Sequence, residues 1–323
     1  MKSDGAGMGA SAGSHPSFSS PWPHRWAVIL ACSTFPLLFI GGLVTSKGVG
    51  LAVPDWPTTF GYNMFLYPWS KMVGGIFYEH SHRLVASFVG LLTITLAFTF
   101  WFREPRPWLR WLGIAALALV IVQGVLGGLR VVLLEHTLAI VHAATAQIFF
   151  ALTICLAIFT SADWRRGPDQ PVKDSSGRLL RLCAITTGLI YAQIVFGAVL
   201  RHTGERLDAH LALAALVAIH VILIVMRVSR HHAAVAQLSR PALLLFVLLL
   251  AQVALGGVSY VAKFTTLWAV SFDAVVLVTT LHLAVGALML AASVALTLRA
   301  YRLSAWPADD RQRKEVLTEQ YSV

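Results

Sequence analysis

A chain of 323 residues that is 57% hydrophobic and only 12% charged is too apolar for a soluble globular domain, in which about a quarter of residues carry charge. Its net charge of +10 invites a nucleic-acid partner, but the basic residues are distributed as membrane topology requires, and no nucleic-acid role is left to explain. Cys32, Cys155 and Cys183 fall in apolar stretches without CxxC spacing, so neither a disulfide framework nor a zinc site is supported.

Residues 1–24, rich in Gly, Ser and Pro, have too little apolar surface to order themselves and read as a flexible tail. Eight stretches follow that can cross a hydrocarbon core of about 30 Å, each needing about 20 mainly apolar residues. They lie at 26–45, 84–102, 110–130, 137–161, 179–200, 208–227, 241–260 and 275–297. The first is longer than a signal peptide's apolar region and no small-residue cleavage site follows it, so it reads as a retained helix. The order suggests an N-terminal four-helix bundle over 25–165, a linker over 166–178, a C-terminal bundle over 179–300 and a tail over 301–323. With the N-terminus inside, 18 of the 25 Lys and Arg residues lie on cytoplasmic segments and 7 on outer ones. That bias predicts a multi-pass protein of the cell (inner) membrane with both termini in the cytoplasm.

The chain reads as a duplication. Gly41-Gly42-Leu43-Val44-Thr45 at the end of segment one matches Gly197-Ala198-Val199-Leu200-Arg201 at the end of segment five, and Gln123-Gly124-Val125-Leu126-Gly127-Gly128 in segment three matches Gln252-Val253-Ala254-Leu255-Gly256-Gly257 in segment seven. Four helices copied into eight keep one orientation, which predicts two tandem four-helix bundles related by a pseudo-two-fold axis along the membrane normal. The glycine pairs of segments three and seven read as close-packing devices, as small residues between membrane helices generally are. The halves differ most at residues 46–79, a long loop carrying Pro54-Asp55-Trp56-Pro57 and a run of aromatics. These aromatics suit either an interfacial belt or the roof of an apolar ligand.

Of twelve histidines, His15, His24, His231 and His232 lie in tails or loops, and His80, His136, His202 and His220 fit neither repeat. His82, His142, His210 and His282 stand one on each even-numbered segment, at equivalent places in the two copies. Ala86, Ala146, Ala214 and Gly286 follow them one turn on, leaving room for something flat. Two imidazoles per bundle suit the axial ligation of haem, whereas bare copper or zinc asks for three or four ligands. Arg83, Arg130 and Arg201 cluster at the outer helix ends, where forked guanidinium groups suit haem propionates. Glu79, three residues before His82, shares its helix face and is placed either to handle protons or to favour a helix start.

The elements Gly41-Gly42-Leu43-Val44-Thr45, Gly50-Leu51-Ala52, Pro54-Asp55-Trp56-Pro57 and Glu79-His80-Ser81-His82-Arg83 resemble those of the haem A synthase family, and the duplication extends the resemblance over residues 25–300. It implies an oxidoreductase that converts the C8 methyl of haem O to a formyl group, making haem A for terminal oxidases. It implies Glu79 and His82 as catalytic residues and His82 with His142 as ligands to substrate haem O and product haem A in the N-terminal bundle. It implies His210 and His282 as ligands to haem b in the C-terminal bundle. Haem O synthase and terminal-oxidase assembly factors are the protein partners it implies, besides the lipid bilayer. Two departures stand out. Val53 and Thr59 occupy places where many bacterial members carry cysteines, which excludes a redox role for the loop, and Leu211 rather than a cation follows His210. The alternative is a non-catalytic di-haem cytochrome b-type electron carrier with the same four histidines. A transporter of parallel repeats ranks lower, since the helices show no internal proline beyond Pro36.

Overall fold

The computed structural model describes residues 20–166, 177–267 and 270–304, so most of both expected tails and of the expected linker lies outside the described residues. The described chain is helical, with α1 (Trp22–Ser46), α2 (Gly74–Arg103), α3 (Pro107–Leu133), α4 (His136–Thr160), a single turn α5 (Ala162–Arg166), α6 (Arg178–Thr203), α7 (Leu207–His231), α8 (Ala236–Phe264) and α9 (Phe272–Ser304). Eight of these are long and apolar enough to cross a membrane, one for each expected segment.

The helices overrun their expected spans for identifiable reasons. Pro23 lies in the first turn of α1 and Pro107 opens α3, where a missing N–H costs nothing. The main difference is α2, which starts at Gly74 and so takes Glu79, His80 and His82 into its first turns. α8 begins at Ala236, which puts Pro241 inside a helix along with Pro36 of α1. Hydroxyls within the spans are satisfied by the carbonyl one turn back, as with Thr34 on Leu30, Thr93 on Val89 and Thr186 on Leu182 at 2.7 Å each. This is how a polar group survives without water. α6 ends at Gly204, whose φ of +77° suits a left-handed cap and whose N–H bonds Leu200 O.

Packing contacts link α1, α2, α3 and α4 in sequence and close from α4 back to α1; α6, α7, α8 and α9 close in the same way. The two rings meet through α1, α4, α6 and α9. In each ring the buried apolar cluster fills one end. In the first it comprises Ala27, Leu30, Leu92, Leu96, Phe100, Leu109 and Leu156, and in the second Val221, Ile224, Leu238, Leu245, Leu296 and Leu303. The four repeated histidines sit at the other end of their helices, outside these clusters. Leu91, Phe98 and Leu243 are among many apolar side chains turned outward, as a helix surrounded by lipid requires.

Candidate functional site

Each of the four repeated histidines rests its ring on a glycine of the preceding long helix. A Cβ on Gly41 of α1 would stand 3.0 Å from His82 Cε1, one on Gly127 of α3 3.2 Å from His142 Cε1, and ones on Gly197 of α6 and Gly256 of α8 3.1 Å from Cε1 of His210 and His282. The second glycine of each pair serves otherwise: Gly42 meets Leu283 and Thr280 of α9, Gly128 meets the Trp56 indole, and nothing lies near Gly257. The pairs of segments three and seven, expected to pack helix on helix, instead seat a ring with their first member, while Gly128 meets the loop's Trp56 and Gly257 nothing. The signal was present in the sequence: the same glycine ends a motif in each odd-numbered segment.

One turn before that glycine stands a glutamine in three of four cases. Gln193 Nε2 lies 3.3 Å from His210 Nε2 and Gln252 Nε2 lies 3.4 Å from His282 Nε2. Gln123 donates to His142 Nδ1 at 3.1 Å and to its carbonyl at 3.2 Å. The fourth place holds Leu37, so His82 lacks this amide. Gly286, expected to leave room beside His282, is approached by the Gln252 amide, which a Cβ would meet at 3.3 Å.

The histidines suit a planar iron ligand. The rings of His210 and His282 have centroids 6.3 Å apart, close to the span of two metal–nitrogen bonds of about 2 Å plus two half-rings of about 1.1 Å each. Nδ1 of His82, His210 and His282 is buried without a hydrogen-bond partner, a costly state that ligand-coupled bonding would relieve. Among the described residues no three His, Cys, Asp or Glu side chains converge as a bare ion would need, whereas haem needs two axial groups.

Among the described residues, a roof is built over the N-terminal pair. Glu79, 3% exposed, accepts from Val53 N at 2.9 Å with one oxygen and from Arg83 at 2.8 Å with the other. Arg83 also donates to the carbonyls of Val53 at 3.0 Å, Asp55 at 2.7 Å and Thr58 at 3.1 Å. His80 Nδ1 lies 3.2 Å from Thr59 Oγ1, and Tyr67 packs its ring 5.1 Å from the His80 ring. Within the loop, Asp55 accepts from Thr58 Oγ1, from Phe60 N at 2.7 Å and from Gly61 N at 2.9 Å, closing a turn in which Phe60 and Gly61 take φ of +50° and +76°. Val49 and Ala52 pack on Gly75, and Trp56 packs on Gly128, next to the seat of His142. The corresponding connection in the second ring, between α6 and α7, is residues 204–206. The aromatics divide accordingly: Tyr67 is buried beneath the loop, Trp56 packs on Gly128 with part of its ring exposed, and Phe65 and Trp69 face outward.

A family model described as "Cytochrome oxidase assembly protein" matches residues 24–210, more than half of the chain. The chain belongs to that family. Among its relatives, a protein of Shouchella clausii named Heme A synthase is 30% identical over 187 residues, 57% of this chain and 60% of the relative. Another so named from Alkalihalophilus pseudofirmus is 30% identical over 185 residues, 55% of this chain and 59% of its own, and a third from Staphylococcus haemolyticus is 27% identical over 190 residues, 55% of this chain and 58% of its own. The chain thus spans about three fifths of the length of these relatives. The family match runs through α1–α4 and α6 and ends at His210, so it contains the roof and three of the four histidines; His282 lies beyond it.

The three arginines of the sequence reading end in different surroundings. Arg83 is engaged by the roof. Arg130, half-buried, has no hydrogen bond or ion pair to another side chain among the described residues; it lies against Gly50 and within electrostatic reach of Glu79, His82 and His142. Arg201 donates to Gly42 O at 2.7 Å and to Ser46 Oγ, and so joins α6 to the end of α1 beside α9.

Proposed function

We propose that the chain is a haem A synthase, an oxidoreductase of the cell membrane with both termini cytoplasmic, which oxidises the C8 methyl of haem O to the formyl of haem A. In this reading the two rings are copies about an axis along the membrane normal. The N-terminal ring takes the substrate haem between His82 and His142, and the C-terminal ring holds haem b between His210 and His282. The observation that carries the reading is the asymmetry among the described residues: four glycine-seated histidines, with a fixed roof built over the first pair. The names of the relatives agree with it.

The resident haem, when bound, supplies one-electron redox chemistry. The protein's own residues do the rest. Gly41, Gly127, Gly197 and Gly256 let the imidazoles sit back against a helix so that a macrocycle fits between them. Gln193 and Gln252 hold the second pair of rings from one side, as groups beyond the ligands commonly do. Val53 and Tyr67, both buried, close the roof over the start of α2, and Trp56 packs on Gly128. Glu79, three residues before His82 on α2, ties the roof to that helix, so it is placed to position the roof and to accept a proton from a reacting group. Arg130 is the cation available for a substrate carboxylate in the first ring, and Arg201 serves the second. Arg83 acts through the loop it holds.

Chromatography of haems extracted from the purified protein, produced beside a source of haem O, tests the reading. Haem A together with haem B is expected, and His210→Ala or His282→Ala should lose haem B while the protein still inserts. Haem B alone, in full occupancy of both rings and without haem A, would establish the electron-carrier alternative. Purification with haem O synthase or terminal-oxidase assembly factors would add the partners this reading carries.

A further inference from the structure

The surroundings of the two histidine pairs meet at the end of α1. Gly41 carries the ring of His82 on one face of that helix, while Gly42, the next residue, faces α9: a Cβ there would stand 3.4 Å from Leu283 Cδ2 and 3.6 Å from Thr280 Cγ2. Leu283 directly follows His282, and Thr280 lies two residues before it. From α6, Arg201 donates through Nη2 to Gly42 O at 2.7 Å and to Ser46 Oγ. Arg201 stands four residues after Gly197, the seat of His210, and so one turn further along the same helix face. The Ser46 hydroxyl closes the junction. It accepts from Arg201 and from Thr280 Oγ1 at 2.9 Å. Thr279 Oγ1, 3.0 Å away, gives its own proton to Val275 O at 2.9 Å, which leaves Ser46 as the donor between the two hydroxyls. One donor and two acceptors are all that a hydroxyl has.

Neighbours of Gly197 and His282 thus grip the turn of α1 that carries the seat of His82. That seat has more to do than the other three, because Leu37 stands where a glutamine would hold the His82 ring. Groups that orient a ligating ring commonly decide about 10–100-fold in affinity. We propose that Arg201 and Ser46 are positioning residues for His82, through which the second ring, once a ligand lies between His210 and His282, fixes the seat of the first. The inference deepens the reading of the two pairs as haem sites and rests on it. A ligand between those two histidines ties α9 to the helix pair α6 and α7, so the partners of Gly42 and Ser46 are ordered before the first ring fills. Binding at one pair then strengthens binding at the other, and by linkage the effect is reciprocal.

The test titrates the purified full chain with ferric iron protoporphyrin IX, the two sites being assigned by their loss in His82→Ala and in His210→Ala. It reads the affinity of the first ring with the second ring loaded and, in His210→Ala, with it empty. Loading the second ring is expected to raise the first-ring affinity by about five-fold or more. Ser46→Ala should abolish that gain while the second ring still fills at saturation, and should add nothing in the His210→Ala background. Ser46→Thr, which keeps the hydroxyl, should retain the gain. A role of Ser46 in packing alone would weaken the first ring equally in both backgrounds, and that additivity would overturn the proposal. An undiminished gain in Ser46→Ala would overturn it as well. Arg201→Gln should also lose the gain, and should that variant fail to fold, the Ser46 variants decide. If either histidine pair takes up no probe, the haem-site reading itself falls and this inference with it; two loaded rings whose affinities are independent refute the inference alone.

Discussion

Gly256 and Gly257 are adjacent in α8, yet a methyl group has opposite consequences at the two. A Cβ on Gly257 meets nothing within 4 Å, whereas one on Gly256 stands 3.1 Å from His282 Cε1. In a helix, alanine is favoured over glycine by about 0.8–1 kcal/mol, so Gly257→Ala is expected to be neutral or slightly stabilising. Gly256→Ala receives the same propensity gain but pushes the imidazole away by a few tenths of an ångström. Metal–ligand distances tolerate about 0.2 Å, and disturbing the groups that orient a ligand costs about 10–100-fold in metal affinity. Gly256→Ala should therefore keep its helicity and lose haem affinity by about that factor, and Gly256→Leu should lose the C-terminal haem altogether. The assay is haem B per folded protein by pyridine haemochrome, with circular dichroism for the fold and Gly257→Ala as control. Equal haem content in Gly256→Ala and Gly257→Ala would refute the seat.

Three further outcomes follow from the roof and the topology. Glu79→Gln keeps the shape but removes the ion pair with Arg83 and an ionisable group, so haem A formation should fall by about two to four powers of ten while haem B remains; near-normal formation would remove Glu79 from the mechanism. Burial acts to raise the Asp55 pKa, but the hydrogen bonds from Gly61, Thr58 and Phe60 outweigh it and hold the carboxyl below its ordinary 3.8. The charged form is thus the folded loop's partner: its contribution is complete above about pH 4 and is lost as pH falls through the lower folded value. Proteolysis of the loop should rise on acidification in wild type, and Asp55→Asn should be cut more readily at neutral pH with no acid step of its own. A cysteine at Phe65, 67% exposed in the loop, should react with an impermeant reagent applied from outside; reaction only from the cytoplasmic face would invert the topology.

The eight helices were legible because their apolar runs are continuous and the solvent they imply is uniform. The four histidines were legible because duplication places them twice. The start of α2 was not: Gly74 through Tyr78 reads as part of the long aromatic loop, and it is helical where Glu79, His80 and Arg83 bond the folded loop from one helix face. Those bonds join residues 21 to 30 positions apart, a separation at which no periodicity carries information. For the same reason Arg83 could be read as a free cation, when three carbonyls and Glu79 claim it. The ring seats needed two patterns laid together, the glycine of one segment and the histidine of the next, across connections of unequal length.

The duplication also frames what distinguishes the rings. On the proposed duplication the copies begin with equal sites, so differences between the halves show where the requirements diverged. In the second ring both histidines keep their glutamines, and the connection between α6 and α7 is three residues long. In the first ring His142 keeps Gln123 while Leu37 stands where the amide of His82 would be. A leucine cannot hydrogen-bond an imidazole, so His82 is held by its seat on Gly41 and by the roof anchored one turn away at Glu79. A ligand that stays is best served by four fixed contacts. A ligand that must enter, react and leave is better served by one ring less tightly held and a cover tied to the same helix, because the cover and that ring can then respond together. In the proposed reading the weaker hold on His82 is the counterpart of the roof, with exchange belonging to the first ring and permanence to the second.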